Sequence, residues 1–326
     1  LGLVRGGVPT MDANWDSWVA LLRKLGIDFR FISYEQVEAG GLRDYRVLIL
    51  PFCHVLSPSE AAQVEAFVKD GGSVVADILN PEFGALCGGA DLQPLFGVRQ
   101  AGLPSFAPMP LKDAAGIAPS VRFLRGSDRI TPDGAQAQQA FDDGTPAILV
   151  RPVGQGRAVC LNLALADYNT VSLGGVGGEE AVVNMAQEQT RDAYERLIES
   201  VLADAGIKPA LCVREARTGK RLGAELYRFQ DGPVQYVGLV GLDESGLITE
   251  KDRKEARLDA GRKVHVYDVI NRAYLGFGET AAFEFVDGKA SLLALLPDKP
   301  ACLEVGLKAA YRPGDLIEAP VSLAPG

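Results

Sequence analysis

Read by polarity alone, the first third of the chain alternates between helical and strand periods. Residues 1–4 form a short apolar run, and residues 12–25 then place Trp15, Trp18, Val19, Leu22 and Leu25 at helical spacing before Gly26. That pattern predicts an amphipathic helix with a glycine stop. Residues 29–32 read as a strand and residues 35–39 as a short helical turn. Residues 47–51 are a nearly unbroken apolar run, as in a strand covered on both faces. The next unit is the clearest in the chain. Ser57 and Glu60 have the spacing of a capping box, with Pro58 at the first helical position. Ala61, Val64, Phe67 and Val68 make one apolar stripe, Gly71 and Gly72 end it, and residues 73–76 follow as a buried strand closing at Asp77. Strand, helix and strand at this spacing imply a right-handed parallel crossover. A doubly wound parallel sheet with helices on both faces is therefore expected.

Periodicity weakens from residue 80 to 145. A short helix over 92–96 and a strand over 121–124 are expected there, among Pro104, Pro108 and Pro110. Residues 147–150 and 158–163 flank Gly154, Gln155 and Gly156 as a hairpin. A long amphipathic helix over 186–205 places Ala193, Leu197, Val201 and Leu202 inward and stops at Gly206. Beyond Pro209 the texture becomes short strands: 211–215, 224–229, 234–240, 263–269, 282–285, 291–296 and 303–307, with turns such as Asp231-Gly232 and Asp287-Gly288. Repeated short strands with turn signals predict a small antiparallel β-sandwich. The boundary falls near residues 207–210, giving domains at 1–208 and 209–326. No internal repeat is evident.

Composition narrows the choice of partners. A net charge of −9 with no Lys/Arg cluster disfavours nucleic acid and anionic membrane surfaces, and no apolar run reaches the roughly 18 residues of a spanning helix. The five cysteines are Cys53, Cys87, Cys160, Cys212 and Cys302. They are far apart, with neither a CxxC pair nor metal-ligand spacing, and their odd number argues against an all-disulfide framework. A chain that opens on Leu1, already inside an apolar run, is expected to be a piece of a longer one.

Several stretches carry a resemblance. They are Tyr45-Arg46-Val47-Leu48-Ile49-Leu50-Pro51, Leu56-Ser57, and Val64-Glu65-Ala66-Phe67-Val68-Lys69-Asp70-Gly71-Gly72-Ser73-Val74-Val75-Ala76-Asp77. Leu95-Phe96-Gly97-Val98 and Gly154-Gln155-Gly156-Arg157-Ala158 with Leu161-Asn162-Leu163 extend it. Together they resemble the trimerisation domain of family 42 β-galactosidases over roughly residues 1–208. The β-region that follows matches that family's small C-terminal domain in order and texture. The resemblance implies a flavodoxin-like, glutamine-amidotransferase-like fold that serves assembly as a homo-oligomer, a trimer. It also implies a catalytic TIM barrel upstream with two glutamates, a module these 326 residues do not contain.

Candidate chemistry is sparse. Cys53 and His54 follow a parallel strand at the end where such sheets place ligands, and Cys with His is a nucleophile–base combination. Neighbours in an extended segment point to opposite sides, however. True amidotransferases mount their cysteine on the sharp turn after the next strand, where this chain has Asp77-Ile78-Leu79. Asp77 and Glu82 flank that strand end and complete a candidate pocket of Cys53, His54, Asp77 and Glu82. Asp12 and Asp16 suit a helix start. His265, alternating with Val264 and Val266, reads as a sheet-surface residue, and two histidines in different domains make no His-rich metal site. Gly174-Gly175-Val176-Gly177-Gly178 lacks the Gly-Lys-Ser/Thr ending of a phosphate loop and reads as a flexible connection. Trp15 and Trp18, three apart on a helix, share a face suited to core or interface burial.

The expectation is a non-catalytic assembly and accessory region of a β-galactosidase-like glycoside hydrolase, with no catalytic residue, cofactor or metal of its own and the barrel of its parent chain as partner. The alternative is a free-standing amidotransferase-like hydrolase or carbohydrate-binding protein that uses the strand-end loops around Cys53, His54 and Asp77. Carbohydrate could also lie on Tyr227, Tyr236, Tyr267 and Tyr274 of the C-terminal strands.

Overall fold

The computed structural model describes residues 11–53, 55–79, 81–166, 168, 180–241, 253–300, 302–305 and 321–324, with the backbone alone for 81–83, 180–188, 302–305 and 321–324. Two compact units emerge, Leu1–Pro209 and Ala210–Gly326.

In the first unit, helix α1 (Met11–Leu25) presents Trp18, Leu21, Leu22 and Leu25 to the core. Helix α2 (Tyr34–Glu38) is fixed by a second capping box, in which Ser33 and Gln36 satisfy each other's backbone N–H groups. After β1 (Val47–Leu50), α3 (Pro58–Lys69) begins with the expected Ser57–Glu60 box: Ser57 Oγ accepts from Glu60 N at 3.1 Å, and Ser57 N donates to the Glu60 carboxylate at 2.7 Å. Strand β2 (Ser73–Asp77) pairs parallel with β1 and is buried along its whole length. The short helices α4 (Pro81–Leu86) and α5 (Gln93–Phe96) and the strands β3 (Val98–Gln100), β4 (Ala107–Met109), β5 (Phe123–Arg125), β6 (Ile130–Pro132) and β7 (Gln136–Ala140) follow. Then come β8 (Pro146–Val153), β9 (Gly156–Leu161), β10 (Leu163–Ala164) and helix α6 (Glu180–Asp204).

The central sheet has the order β1-β2-β9-β8-β7. β2 pairs parallel with β9, but β9 with β8 and β8 with β7 are antiparallel. The expected parallel sheet is therefore parallel only over β1, β2 and β9, and the expected hairpin about Gly154–Gly156 together with β7 makes it a mixed one. Residues 29–32, expected as a strand, carry no assigned ladder, and the apolar run at 1–4 lies outside the described residues, as does the loop at 174–178. Helices cover both sheet faces. α1 and α6 pack with Val75, Ile148, Val159 and Leu161, whereas α2, α3 and α5 pack with Leu48, Val74, Ala76, Leu149 and Ala158.

Two glycine motifs meet in space. The β8–β9 turn sits on the C-terminus of α3, where Gln155 N caps Lys69 O at 2.9 Å and Arg157 N donates to Gly72 O at 3.3 Å. A Cβ on Gly156 would lie 2.0 Å from Gly72 O and 2.3 Å from Val68 O, all rigid backbone.

The second unit contains β11 (Cys212–Glu215), β12 (Ala224–Asp231), β13 (Val234–Gly241), β14 (Arg253–Asp268), β15 (Ala273–Val286) and β16 (Ala290–Leu296), with β17 (Cys302–Val305) and β18 (Val321–Ala324) as a separate two-stranded ribbon. The expected β-sandwich is here a single curled antiparallel sheet of six strands. β14 pairs with β11 through its first half and with β16 through its second, while β15 runs along its other side. A register break between Asp259 and Val264, with Gly261 in the left-handed region (φ 64°), bends the strand between the two partners. All six strands therefore supply one enclosed core, including Val213, Leu226, Val237, Leu258, Phe283 and Leu293.

Gly156→Ala should cost about 3 kcal/mol of stability, because only backbone could move aside. A wild-type denaturation midpoint for the variant in urea would disprove this contact.

Candidate functional site

The strand-end region is built from the C-termini of β1 and β2 and the first turns of α1. Phe52 and Ile78, one just beyond each strand, have φ values of 47° and 46°. Positive φ is an outlier for bulky and especially β-branched side chains, and costs on the order of 1–3 kcal/mol each. The sharp turn expected after β2 is thus present, and isoleucine occupies it. Its side chain is buried with Phe52 and Ala164, alongside Phe106 and Leu124. Ile78 Cδ1 comes so close to Gly126 that a Cβ there would lie 2.4 Å away.

Asp77, at the end of β2, is fully buried and accepts three hydrogen bonds. Asn14 Nδ2 donates at 2.7 Å, Trp18 Nε1 at 2.5 Å and the strained Phe52 N at 2.5 Å. Asn14 Oδ1 accepts in turn from Leu165 N at 2.7 Å. Asp77 therefore ties the ends of β1 and β2 to α1, and Asn14 carries the tie onward to the segment after β10. Burial pushes the Asp77 carboxyl up to about 6, against the pull of Asn14, Trp18 and Phe52. At neutral pH it is the carboxylate that three donors require.

Of the other candidates, Cys53 is half-buried and its thiol contacts Val55 O at 3.9 Å. Burial pushes this thiol up to about 11, with Glu60 and Asp77 adding to the rise, so little thiolate exists near neutrality. Cys160, fully buried on β9, is pushed up to about 12 by burial and by Asp77. His54 lies outside the described residues, and Glu82 is placed only as backbone within α4. The structure thus brings Cys53 and Asp77 to one end of the sheet, and commits the Asp77 oxygens to protein donors.

Two amides escaped the sequence reading. Asn14 is one. Asn162, between β9 and β10, accepts from Ser127 N and donates to Ser127 O and Pro146 O, holding the β5–β6 loop against the sheet. A single amide within the apolar run Leu161-Asn162-Leu163 is the signal, since a buried amide must find partners. Among the described residues no three or more His, Cys, Asp or Glu side chains converge as a metal site. No described helix is long and apolar enough to cross a membrane.

Compared with known proteins, residues 10–208 match the β-galactosidase trimerisation domain. The chain belongs to that family. No curated protein matches it by sequence. Among solved structures, the β-galactosidase from Bacillus circulans sp. alkalophilus aligns with a TM-score of 0.56 at 16% identity, covering 88% of this chain and 38% of that one. A Rahnella β-galactosidase gives 0.56 at 16%, covering 90% and 38%. The α-L-fucosidase isoenzyme 2 from Paenibacillus thiaminolyticus gives 0.54 at 17%, covering 87% and 45%. At these identities the likeness is one of fold. This trimerisation-domain chain spans less than half the length of each.

In the trimerisation domain, Asp77→Asn replaces an acceptor with an amide group that opposes at least one of the three donors, and should cost about 2 kcal/mol at pH 7. The pH dependence has a definite sign. Between about pH 4 and 6 the unfolded Asp77 has lost its proton while the folded one keeps it, so its contribution falls as pH rises through that window. The wild type should therefore gain on the order of 3 kcal/mol over Asp77→Asn between pH 7 and pH 4. Urea unfolding of both proteins at several pH values reads this directly, and a constant difference would refute the assignment.

Proposed function

We propose that this chain is a non-catalytic assembly and accessory region of a β-galactosidase-like glycoside hydrolase. It would join protomers and support a catalytic barrel supplied outside these residues. The observation that carries the reading is the turn after β2. Its backbone is bent as a nucleophile-bearing turn would be, but it holds a buried Ile78, and the adjacent carboxylate is committed to Asn14, Trp18 and Phe52. Among the described residues, the turn filled this way carries no attacking side chain, and the Asp77 oxygens are held by protein donors. Family membership over residues 10–208 supports the assembly half of the proposal. The same reading takes residues 1–208 as an amidotransferase-like, flavodoxin-like domain and residues 209–326 as a separate β-domain. The two compact units support that division.

The alternative, a hydrolase built on Cys53, His54 and Asp77, makes an opposite claim about one assay. The purified chain is expected to hydrolyse neither aryl galactosides nor glutamine above the buffer rate, and to sediment as a homo-oligomer. Turnover abolished by Cys53→Ala would replace this proposal with the hydrolase.

A second reading concerns the β-domain. Across five strands the ladder places Phe229, Tyr236, Ala294, Tyr267 and Tyr274 directly opposite one another, and so on one face. In the next row His265 lies between Phe277 and Leu296, and its Nδ1 is 2.8 Å from Tyr274 Oη. Phe229 and Phe277 are each more than half exposed. We infer that this row stacks on sugar rings, whose C–H faces suit aromatic planes and whose hydroxyls suit the Tyr and His edges. Tyr267→Ala with Tyr274→Ala should remove any retardation of the chain by soluble galactan in affinity electrophoresis. Equal migration of wild type and variant in the gel would dismiss the idea.

A further inference from the structure

Helix α1 has two outward-facing apolar residues one turn apart. Its inward side, with Asn14, Ser17 and Trp18, is fully buried, whereas Met11 and Trp15 are 52% and 47% exposed. Phe31, in the segment after the helix, is 62% exposed, and its ring centroid lies 5.1 Å from that of Trp15. Phe31 also meets Phe29 edge-on at 5.6 Å, and Phe29 packs partly against the core beneath α1. The patch is therefore anchored: a run of rings leads from the interior to the surface and holds Trp15 and Phe31 in place without a partner. Rigid aromatic side chains lose little entropy on contact, which is why Trp and Tyr dominate the energetic centres of interfaces.

We propose that Met11, Trp15 and Phe31 are the apolar centre of the contact between two copies of this chain. The proposal rests on the assembly reading above and gives it a location. Three observations select a second copy as the occupant. The patch lies within the residues that match a trimerisation domain. Large side chains of this kind carry roughly 150–250 Å² each, so three that are half exposed offer on the order of 300 Å². That is the apolar centre of an interface needing about 800 Å² per partner, with the rest supplied by a polar rim. The rim also has a sign: Asp12 and Asp16, both exposed, flank Trp15 on the same helix. A twofold contact of this patch with itself would bring these carboxylates against their own copies, which disfavours a symmetric dimer. A head-to-tail contact sets them against a different surface of the neighbour, and such contacts close into rings, as a trimer does.

The tryptophan count makes the contact observable. The chain has two tryptophans, and Trp18 is buried, so iodide-quenchable emission belongs to Trp15. Sedimentation equilibrium of the wild-type chain is expected to give a trimer at micromolar concentration, with iodide quenching that increases several-fold on dilution to monomer. Trp15→Ala combined with Phe31→Ser should weaken association at least 100-fold, leaving the circular dichroism spectrum near wild type because both side chains are exposed. Phe31→Ser alone, outside any helix or ladder, is the second variant should the pair disturb α1. Phe229→Ser, equally exposed on the β-domain, should remain trimeric. A trimeric wild type with equally trimeric Trp15 and Phe31 variants overturns this surface and leaves the assembly reading standing. A monomeric wild type overturns both.

Discussion

One buried carboxylate organises the first domain. Asp77 ends the interior strand β2, and its oxygens satisfy donors from α1 and from the turn after β1, residues 25 to 63 positions away in sequence. Burying a charge is costly unless hydrogen bonds compensate it, so this arrangement is viable only when all three donors are in place. That dependence couples the elements. α1 cannot shift without uncovering the carboxylate, and the left-handed backbone at Phe52 is held by the bond its N–H makes to Asp77. Through Asn14 the same tie reaches Leu165, beyond the last strands of the sheet.

This interaction also explains why the strand end looks like a reactive site in sequence while its carboxylate, in space, faces protein donors. An acidic residue after a buried strand, near a Cys-His pair, has the outline of catalytic machinery. Whether its oxygens face substrate or structure depends on Asn14 and Trp18, which no local pattern links to Asp77. The α3 unit was legible for the opposite reason: Ser57, Pro58, Glu60 and the Gly71-Gly72 stop act within a few residues of one another. Trp15 and Trp18 show the limit of face-sharing arguments. Three positions apart, they were expected to share one fate, but one donates to the buried carboxylate and the other remains half exposed beside Phe31.

In the β-domain the strands were mostly legible and their arrangement was not. The first half of β14 was missed because its inward positions are Ala256, Leu258 and Ala260 between charged residues, an alternation too weak in hydrophobicity to stand out. With that segment absent, a two-sheet sandwich was the natural expectation. Once Arg253–Asp268 is a single long strand with a bend, the six strands join into one sheet around one core. The mixed order of the central sheet follows from the glycine hairpin, which was legible, and from the edge strand β7, whose Gln136–Ala140 sequence carries no apolar signal.

The bend at Gly261 makes β14 a shared spine. Within the sheet, β11 pairs only with the half of β14 before the bend, and β16 only with the half after it. Hydrogen bonding therefore passes between these two neighbours through a single strand. Such a strand cannot be detached in part without freeing one of these two neighbours, and the left-handed glycine at the bend lets it serve both while β15 stays paired along its other side.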